Sequence, residues 1–399
     1  MASKNILFIS GSIGLGHVTR DLALANELRK QNPGIEISWI ASEPASNLLV
    51  DAGEKMLPEA AEWANENVIA ENTAQGFKFN LMKVTMNVRS AWAQNAAVFV
   101  KLTKQRSYDL VIGDETYEIM VALKRKPELK RMPFVIIYDF IASYSMTKNP
   151  IEKFGVYYWN RFWSKDFHKP SPFVDMRLFL GELEDIPDTK FGFLLPRRRD
   201  WAQEKCKFVD YILPFDPQEH VDSKALRATL GYGDEPLIVC SIGGTAIGKQ
   251  MLELCGRSFP ILKDKIPDLR MILVCGPRLA PAELDVPKGV ETKGYVPRLY
   301  RHFTASDLAI VQAGANSTIE LTALRKPFLY FPLMDHYEQR IHVPQRLARH
   351  RAGVCMEYSE TTPESLAEAI LQNLGREVNY LDIPTDGAQK AAKLVSNLL

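Results

Sequence analysis

Twice along this chain a short, continuously apolar run stops at a glycine-rich loop and passes directly into a helical pattern. Ile6–Ile9 is followed by "SGSIGLGH", and then by Leu22, Ala25 and Leu28 at helical spacing. Leu237–Ser241 is followed by "IGGTAIGKQ" and a second helical stretch. A strand that is apolar at every position, rather than at alternate ones, is buried on both faces. Strands of that kind joined through helices make a parallel sheet. The pattern recurs on each side. Asn32-Pro33-Gly34 stops the first helix, and Ile35–Ile40, Asp109–Ile112 and Phe134–Tyr138 read as further strands. In the second half Arg270–Cys275, Leu308–Gln312, Pro327–Phe331 and Gly353–Glu357 do the same. A helix capped by Thr361 or Thr362, with Pro363 at its start, follows, and "DGAQKAAKLVSNLL" reads as a last amphipathic helix.

Between the halves, from Ile151 to about Phe215, the chain is aromatic and proline-rich and shows no clear alternation. Its aromatic residues are read as core in preference to an apolar pocket. "LPFDPQEH" (Leu213–His220) reads as a linker. With 399 residues, too many for one ordinary core, two domains are expected. The predicted architecture is α/β: two Rossmann-like, doubly wound domains facing each other across a cleft. The predicted boundaries are residues 1–213 for the first domain and 214–384 for the second. Residues 385–399 form a terminal helix that packs back toward the first domain.

Composition removes several classes. A net charge of +1 gives no field for nucleic acid or for an anionic membrane. The N-terminus has no signal-peptide pattern and no apolar run reaches membrane-spanning length. The five scattered cysteines offer no Cys-x-x-Cys pair, so no metal site is expected and a cytoplasmic location is.

The loops carry the chemistry. A dinucleotide fingerprint needs G-x-G-x-x-G, but Gly14-Leu15-Gly16-His17-Val18 is followed by Thr19, and Gly11 is out of register. What remains is a tight turn through Gly14 and Gly16, a candidate loop to hold a reacting hydroxyl, and His17 at a helix N-terminus. That position disfavours imidazolium and suits a general base; packing or capping is the bland alternative. "GGTAIGKQ" satisfies G-x-x-x-x-G-K but has Gln250 where a P-loop needs Ser or Thr. Its free N–H groups remain able to meet a diphosphate. In Val311–His342, Gly314 allows close backbone approach, and Ala315, Asn316 and Ser317 open a helix whose N-terminus can hold an anion. Glu320, one turn further, could accept both hydroxyls of a ribose. Asp335, His336, Glu338 and Gln339 form a polar cluster suited to sugar hydroxyls.

Read in order, Gln312-Ala313-Gly314-Ala315-Asn316-Ser317-Thr318-Ile319-Glu320, then Lys326-Pro327, then Pro332 and Glu338-Gln339, this segment resembles the nucleotide-sugar signature of GT-B glycosyltransferases of families 1 and 28. There the motif is H-C-G-W-N-S-x-x-E, G-x-P and P-x-x-x-E-Q-x-x-N. Two positions depart from it. Gln312 stands for the usual His, able to donate to a phosphate but uncharged, and His342 stands for the closing Asn. The opening loop also resembles the family's glycine loop with its histidine, and "GYVPRLYRHFTASDLAI" resembles the segment that presents Val296 to the base. The likeness fades over about residues 55–105 and 145–230, where acceptors bind.

The resemblance implies an inverting, metal-independent transfer of a sugar from a UDP-sugar, or another nucleotide sugar, to an acceptor hydroxyl, with no cofactor beyond that co-substrate. No Asp-x-Asp occurs in the chain. The leaving diphosphate would be met by the helix opening at Asn316, by Ser241, Gly243, Gly244 and Thr245, and by Arg278. His17 would be the base. Asp114 would orient it, with Glu115 as the alternate; the bland reading of Asp114 is a helix cap. The competing classes are a nucleotide-sugar hydrolase or epimerase of the same fold and a non-catalytic homologue that activates a partner. The acceptor is unassigned, with an apolar or lipid-linked molecule among the candidates. "GVYYWNRFWSKDFHK" has the residue mixture of a membrane-interfacial segment, but an aromatic flank of the acceptor cleft is the preferred reading.

Overall fold

The computed structural model describes residues 4–11, 14–220 and 222–399. Contacts divide the chain into two units. The first comprises Met1–Thr73, Leu81–Pro214 and Pro384–Leu399; the second comprises Ala74–Asn80 and Phe215–Ile383.

In the first unit seven parallel strands lie in the order β3-β2-β1-β4-β5-β6-β7. They are β1 (Asn5–Ile9), β2 (Glu36–Ile40), β3 (Lys55–Met56), β4 (Leu110–Asp114), β5 (Phe134–Tyr138), β6 (Met176–Phe179) and β7 (Lys207–Phe208). Helices α1 (Gly16–Gln31), α2 (Ala45–Asp51), α3 (Glu66–Thr73), α4 (Leu81–Gln105), α5 (Tyr117–Arg125), α6 (Pro150–Trp163) and α7 (Arg198–Lys205) connect or cover them. The continuous apolar character of β1 is explained by its two faces. Ile6 and Phe8 pack against Leu24 and Leu28 of α1, whereas Leu7 and Ile9 belong to the layer holding Phe99 of α4 and Ile119 of α5. The first helix begins at Gly16, so His17 lies in its first turn.

The middle stretch is more regular than its sequence suggested. Asn149 caps α6 by accepting from the Ile151 N–H at 2.9 Å, and Pro150 follows at the first helical position. Met176–Phe179 is a sixth strand, paired with β5. The aromatic residues divide by face. Trp159 and Trp163 stack among Tyr117, Tyr138 and Trp201 in the core, while Phe154 and Tyr158 are exposed.

The second unit has six parallel strands in the order β10-β9-β8-β11-β12-β13. They are β8 (Leu237–Ser241), β9 (Arg270–Val274), β10 (Glu291–Lys293), β11 (Leu308–Gln312), β12 (Phe328–Phe331) and β13 (Val354–Cys355). Its helices are α8 (Ser223–Leu230), α9 (Lys249–Lys263), α10 (Leu299–Ala305), α11 (Ala315–Ala323), α12 (Val343–His350) and α13 (Pro363–Asn373). Thr362 caps α13, accepting from the Ser365 N–H at 3.2 Å. Residues 74–80, far upstream in sequence, join this unit. The Phe79 N–H donates to the Met334 carbonyl at 2.8 Å, and the Met334 N–H donates to the Phe77 carbonyl at 3.1 Å. The last helix, α14 (Gly387–Ser396), returns to the first unit, where Ala391, Ala392 and Val395 are buried in the α1 layer.

In each sheet the order reverses beside its first strand, between β1 and β4 and between β8 and β11. The carboxyl ends of strands at such a reversal open a crevice where ligands bind in α/β folds.

Candidate active site

In the first unit that crevice holds His17. Gly11 follows β1 with no room for a side chain, since a Cβ there would lie 2.6 Å from His17 Nδ1. Gly14 has a φ of 81°, and its N–H donates to Asn67 Oδ1 at 2.8 Å. Across the reversal, β4 ends in the fully buried Asp114, whose Oδ2 lies 2.8 Å from His17 Nδ1. Arg20, one turn beyond His17, grips the same carboxylate from Nε at 3.0 Å and Nη2 at 2.7 Å, and its Nη1 reaches Asp139 at 2.8 Å. A carboxylate can only accept, so the 2.8 Å contact assigns the imidazole proton to Nδ1. Arg20 Nη2 lies 2.8 Å from Nδ1 and donates to Asp114 Oδ1 at 2.7 Å. Nε2 is left as the basic nitrogen, on a side chain 15% exposed. Both oxygens of Asp114 are engaged by His17 and Arg20, so it is not the helix cap of the bland reading.

Four buried carboxyl groups surround this histidine and divide into two kinds. Burial works against ionisation of Asp114 and Asp139, yet Arg20 and His17 hold both below the usual carboxylate range. Burial and the neighbouring acids push Asp21 and Glu115 well above it, and Ser10 donates to Asp21 at 2.6 Å. Glu115, the alternate orienting acid, has its Oε2 4.0 Å from Nε2 and a left-handed backbone with φ 52°.

The second unit presents a different chemistry at its own reversal. Ser241, at the buried end of β8, accepts from the Gly243 N–H at 3.2 Å. Gly243 and Gly276 pass so closely that a Cβ on Gly276 would lie 2.1 Å from the Gly243 carbonyl oxygen. The backbone through Gly244 and Thr245 to Gly248 leads into α9. Across the reversal, Gly314 is the N-cap of α11, and Ala315, Asn316 and Ser317 form its first turn, part-exposed. The N–H groups of that turn have no carbonyl four residues back within the helix, so they can serve an anion. The Glu320 side chain makes no hydrogen bond or ion pair among the described residues, and burial pushes its carboxyl up to about 8.

Gln312 was expected to donate to a phosphate, but the structure employs it as a strut. With its amide oriented to satisfy every polar atom, the nitrogen donates to the Ile247 and Ile242 carbonyls at 2.8 and 3.2 Å, and the oxygen accepts from Gln339 Nε2 at 3.2 Å. Gln339 Oε1 in turn accepts from the Leu333 N–H at 2.9 Å. These two buried amides brace the β8–α9 and β12–α12 connections. Glu338 and Arg278 are part-exposed, and Val296 packs half-buried against the core of this unit. Lys78 pairs with Asp335 at 3.0 Å, and Phe79 packs on His336 at 4.6 Å. His342, in place of the family's closing Asn, is buried.

Residues 238–397 match the model of the glycosyltransferase family 28 C-terminal domain. The chain aligns end to end with the glycotransferase of kitacinnamycin, at a TM-score of 0.60 and 15% identity over 100% of both chains. This chain has the GT-B fold. Other GT-B structures agree, such as the glycosyltransferase SnogD from Streptomyces nogalater, with a TM-score of 0.55 and 18% identity over 100% of both chains. In sequence it is 26% identical over 194 residues to an uncharacterized glycosyltransferase of Methanopyrus kandleri, covering 48% of this chain and 54% of the other. It is 23% identical over 377 residues to the UDP-N-acetylglucosamine--N-acetylmuramyl-(pentapeptide) pyrophosphoryl-undecaprenol N-acetylglucosamine transferase of Chlorobaculum parvum, covering 93% and 90%. The GT-B chain thus spans about half the length of the first of these relatives and most of the second. Arg20, Asp139 and Asp21 went unnoticed in its sequence, although the His17–Arg20 spacing sets both side chains on one helix face.

Proposed function

We propose that the chain transfers a sugar from a uridine diphosphate sugar to an acceptor hydroxyl, with inversion at the anomeric carbon. The observation that carries this reading is the 2.8 Å contact of Asp114 with His17 Nδ1, which leaves Nε2 free to take a proton. The hydroxyl oxygen attacks the anomeric carbon as its proton passes to Nε2. The bond from that carbon to the β-phosphate oxygen breaks, and its electron pair leaves with the nucleotide. The charge that builds on the diphosphate meets the first-turn N–H groups of α11 and the Gly243–Gly248 backbone, donors already oriented before the reaction. Glu320 accepts from the ribose hydroxyls.

The reading calls for no metal and no organic cofactor. The Chlorobaculum parvum relative's name describes a sugar moved from a UDP donor to an undecaprenol-linked acceptor. On that ground an apolar or lipid-linked hydroxyl is the acceptor class to try first. A panel of UDP-sugars, with free UDP measured in the presence and absence of such acceptors, tests the proposal. Acceptor-dependent UDP release that persists in EDTA, with an inverted product anomer by NMR, is expected. UDP release that ignores the acceptor indicates a hydrolase. Activity lost to EDTA and restored by magnesium or manganese overturns the metal-free mechanism.

A further inference from the structure

Seven residues of the second unit come from far upstream in the sequence. The stretch "AQGFKFN" (residues 74–80) connects α3 to α4, and on the way it lies along the loop after β12. Its side chains alternate, as those of an extended segment do. Phe77 and Phe79 are buried, the first against Tyr358 and the second against His336, each with ring centroids 4.6 Å apart. Lys78 between them faces outward, and its Nζ lies 3.0 Å from Asp335 Oδ2. Gly76, with φ 59°, passes Gln250 so closely that a Cβ would lie 3.8 Å from the side-chain nitrogen. Gln250 stands in the first turn of α9, just beyond the Gly243–Gly248 backbone. The segment therefore runs from the connection after β8 to the connection after β12, and these two strands flank β11, whose own connection opens α11.

What holds this segment is distinct from what it presents. Two buried phenylalanines and the two backbone hydrogen bonds to Met334 anchor it. The ion pair adds little to that anchorage, because Lys78 is 46% and Asp335 24% exposed, and such pairs contribute weakly to stability. The backbone nevertheless turns to place the pair, since Asp335 has a left-handed φ of 60°, uncommon for a residue with a side chain. Neither partner is saturated. An ammonium has three protons, of which Asp335 Oδ2 takes one, and Asp335 Oδ1 accepts no hydrogen bond among the described residues. Arg340, the other cation near Asp335, is bound to Glu357 through both Nη atoms, at 3.3 and 2.6 Å. A donor and an acceptor side by side, neutral in sum, suit two hydroxyls on neighbouring carbons, one accepting from Nζ and the other donating to the carboxylate.

We propose that Lys78 and Asp335 together bind neighbouring hydroxyl groups of the sugar on the nucleotide, so that a residue made far upstream of the second unit's main stretch sets its donor specificity. The inference rests on the reading that puts the diphosphate at the first turn of α11 and the Gly243–Gly248 backbone. A pair that is neutral in sum favours an uncharged sugar. A carboxylate on the sugar would meet Asp335 as well as Lys78.

The test is calorimetry of the whole chain with UDP, UDP-glucose, UDP-galactose, UDP-N-acetylglucosamine and UDP-glucuronate, which needs no turnover. The wild type is expected to distinguish the sugars and to bind UDP-glucuronate less tightly than UDP-glucose. Lys78→Met keeps the aliphatic stem and loses the ammonium. It should weaken the best-bound neutral sugar nucleotide by about tenfold, as loss of a hydrogen bond to a charged group does, and leave UDP within about twofold. Asp335→Asn leaves the ammonium without its counter-ion. It should weaken that same sugar nucleotide yet tighten UDP-glucuronate by about tenfold, a reversal that a merely structural ion pair would not produce. Near-ultraviolet circular dichroism checks that each variant keeps its fold, and Lys78→Gln replaces Lys78→Met if that one does not. If the wild type binds all four sugar nucleotides alike or prefers UDP-glucuronate, or if the variants change UDP and the sugar nucleotides alike, the inference is overturned while the nucleotide site stands. Wild-type protein that binds no UDP overturns the nucleotide site itself, and this inference with it.

Discussion

In the proposed transfer, His17 takes its proton beside Asp114, and Arg20 holds the buried Asp114 and Asp139 carboxyls below the usual carboxylate range. His17→Ala should lower turnover by about 10²–10⁴ while UDP affinity stays near normal, as steady-state kinetics and calorimetry would record. Asp114→Asn should lose less, because Nε2 remains but the ring is poorly held. Near-normal turnover in His17→Ala would remove the base from this residue. The second prediction concerns Glu320. With its carboxyl pushed up to about 8, UDP has to expel a proton to gain a carboxylate partner for its ribose. UDP affinity should therefore rise between pH 7 and pH 8, by up to tenfold per unit, and level off above. Glu320→Gln should flatten that profile, and Glu320→Ala should weaken binding by about 1–3 kcal/mol. An unchanged profile in Glu320→Gln would place the ribose elsewhere. His17, Asp114 and Glu320 were legible in sequence because each stands where an apolar strand meets a loop or opens a helix. Arg20 and Asp139 were not, because their partners are brought to them only by the pairing of β1, β4 and β5.

At the scale of elements, the segments with ordinary periodicity around small-residue loops were readable, and those governed by long-range packing were not. Helix α4 is 25 residues long, yet its buried positions Val88, Ala91, Asn95, Val98 and Phe99 include a polar residue that blurs the stripe. Helix α6 was hidden for a different reason, being apolar on both faces. Asn95 marks a buried cluster with its own consequence. Burial, and Glu66 close by, push the carboxyl of Glu118 in α5 up to about 8, and Asn95 Nδ2 approaches it at 3.5 Å. The folded chain prefers this acid protonated, so its stabilising share is complete below about pH 4.5 and is lost as pH rises through 8. Urea denaturation should show the wild type losing ground to Glu118→Gln between pH 5 and pH 8, by at most about 1.4 kcal/mol per unit. Parallel pH dependences in the two proteins would mean that Glu118 is ionised in the fold.

Across the whole molecule, the proposed reaction uses the same sheet reversal twice for unlike purposes, once for the buried cluster around His17 and once for the first turn of α11 beside Glu320. Hydrogen exchange should separate them. UDP should slow the amides of residues 243–248 and 315–317 and leave 14–20 unchanged, and protection confined to the first unit would reverse the proposed division of labour. The recurrence of strand, loop and helix made the two parallel sheets legible. It gave no sign of residues 74–80, whose pairing with Met334 joins positions more than half a chain apart, without a periodic pattern to announce it. The return of α14 has a further effect, on biosynthesis. The first unit lacks Ala391, Ala392 and Val395 until residues near the end of this sequence have been made, and Asn32 must wait as long for Ser396, to which it donates at 2.7 Å. Apart from residues 74–80, made early, the second unit is one unbroken stretch that ends at Ile383. On a ribosome, the later-made half can therefore close its core first, while the half made earlier holds an apolar face of α1 open for a helix still to come.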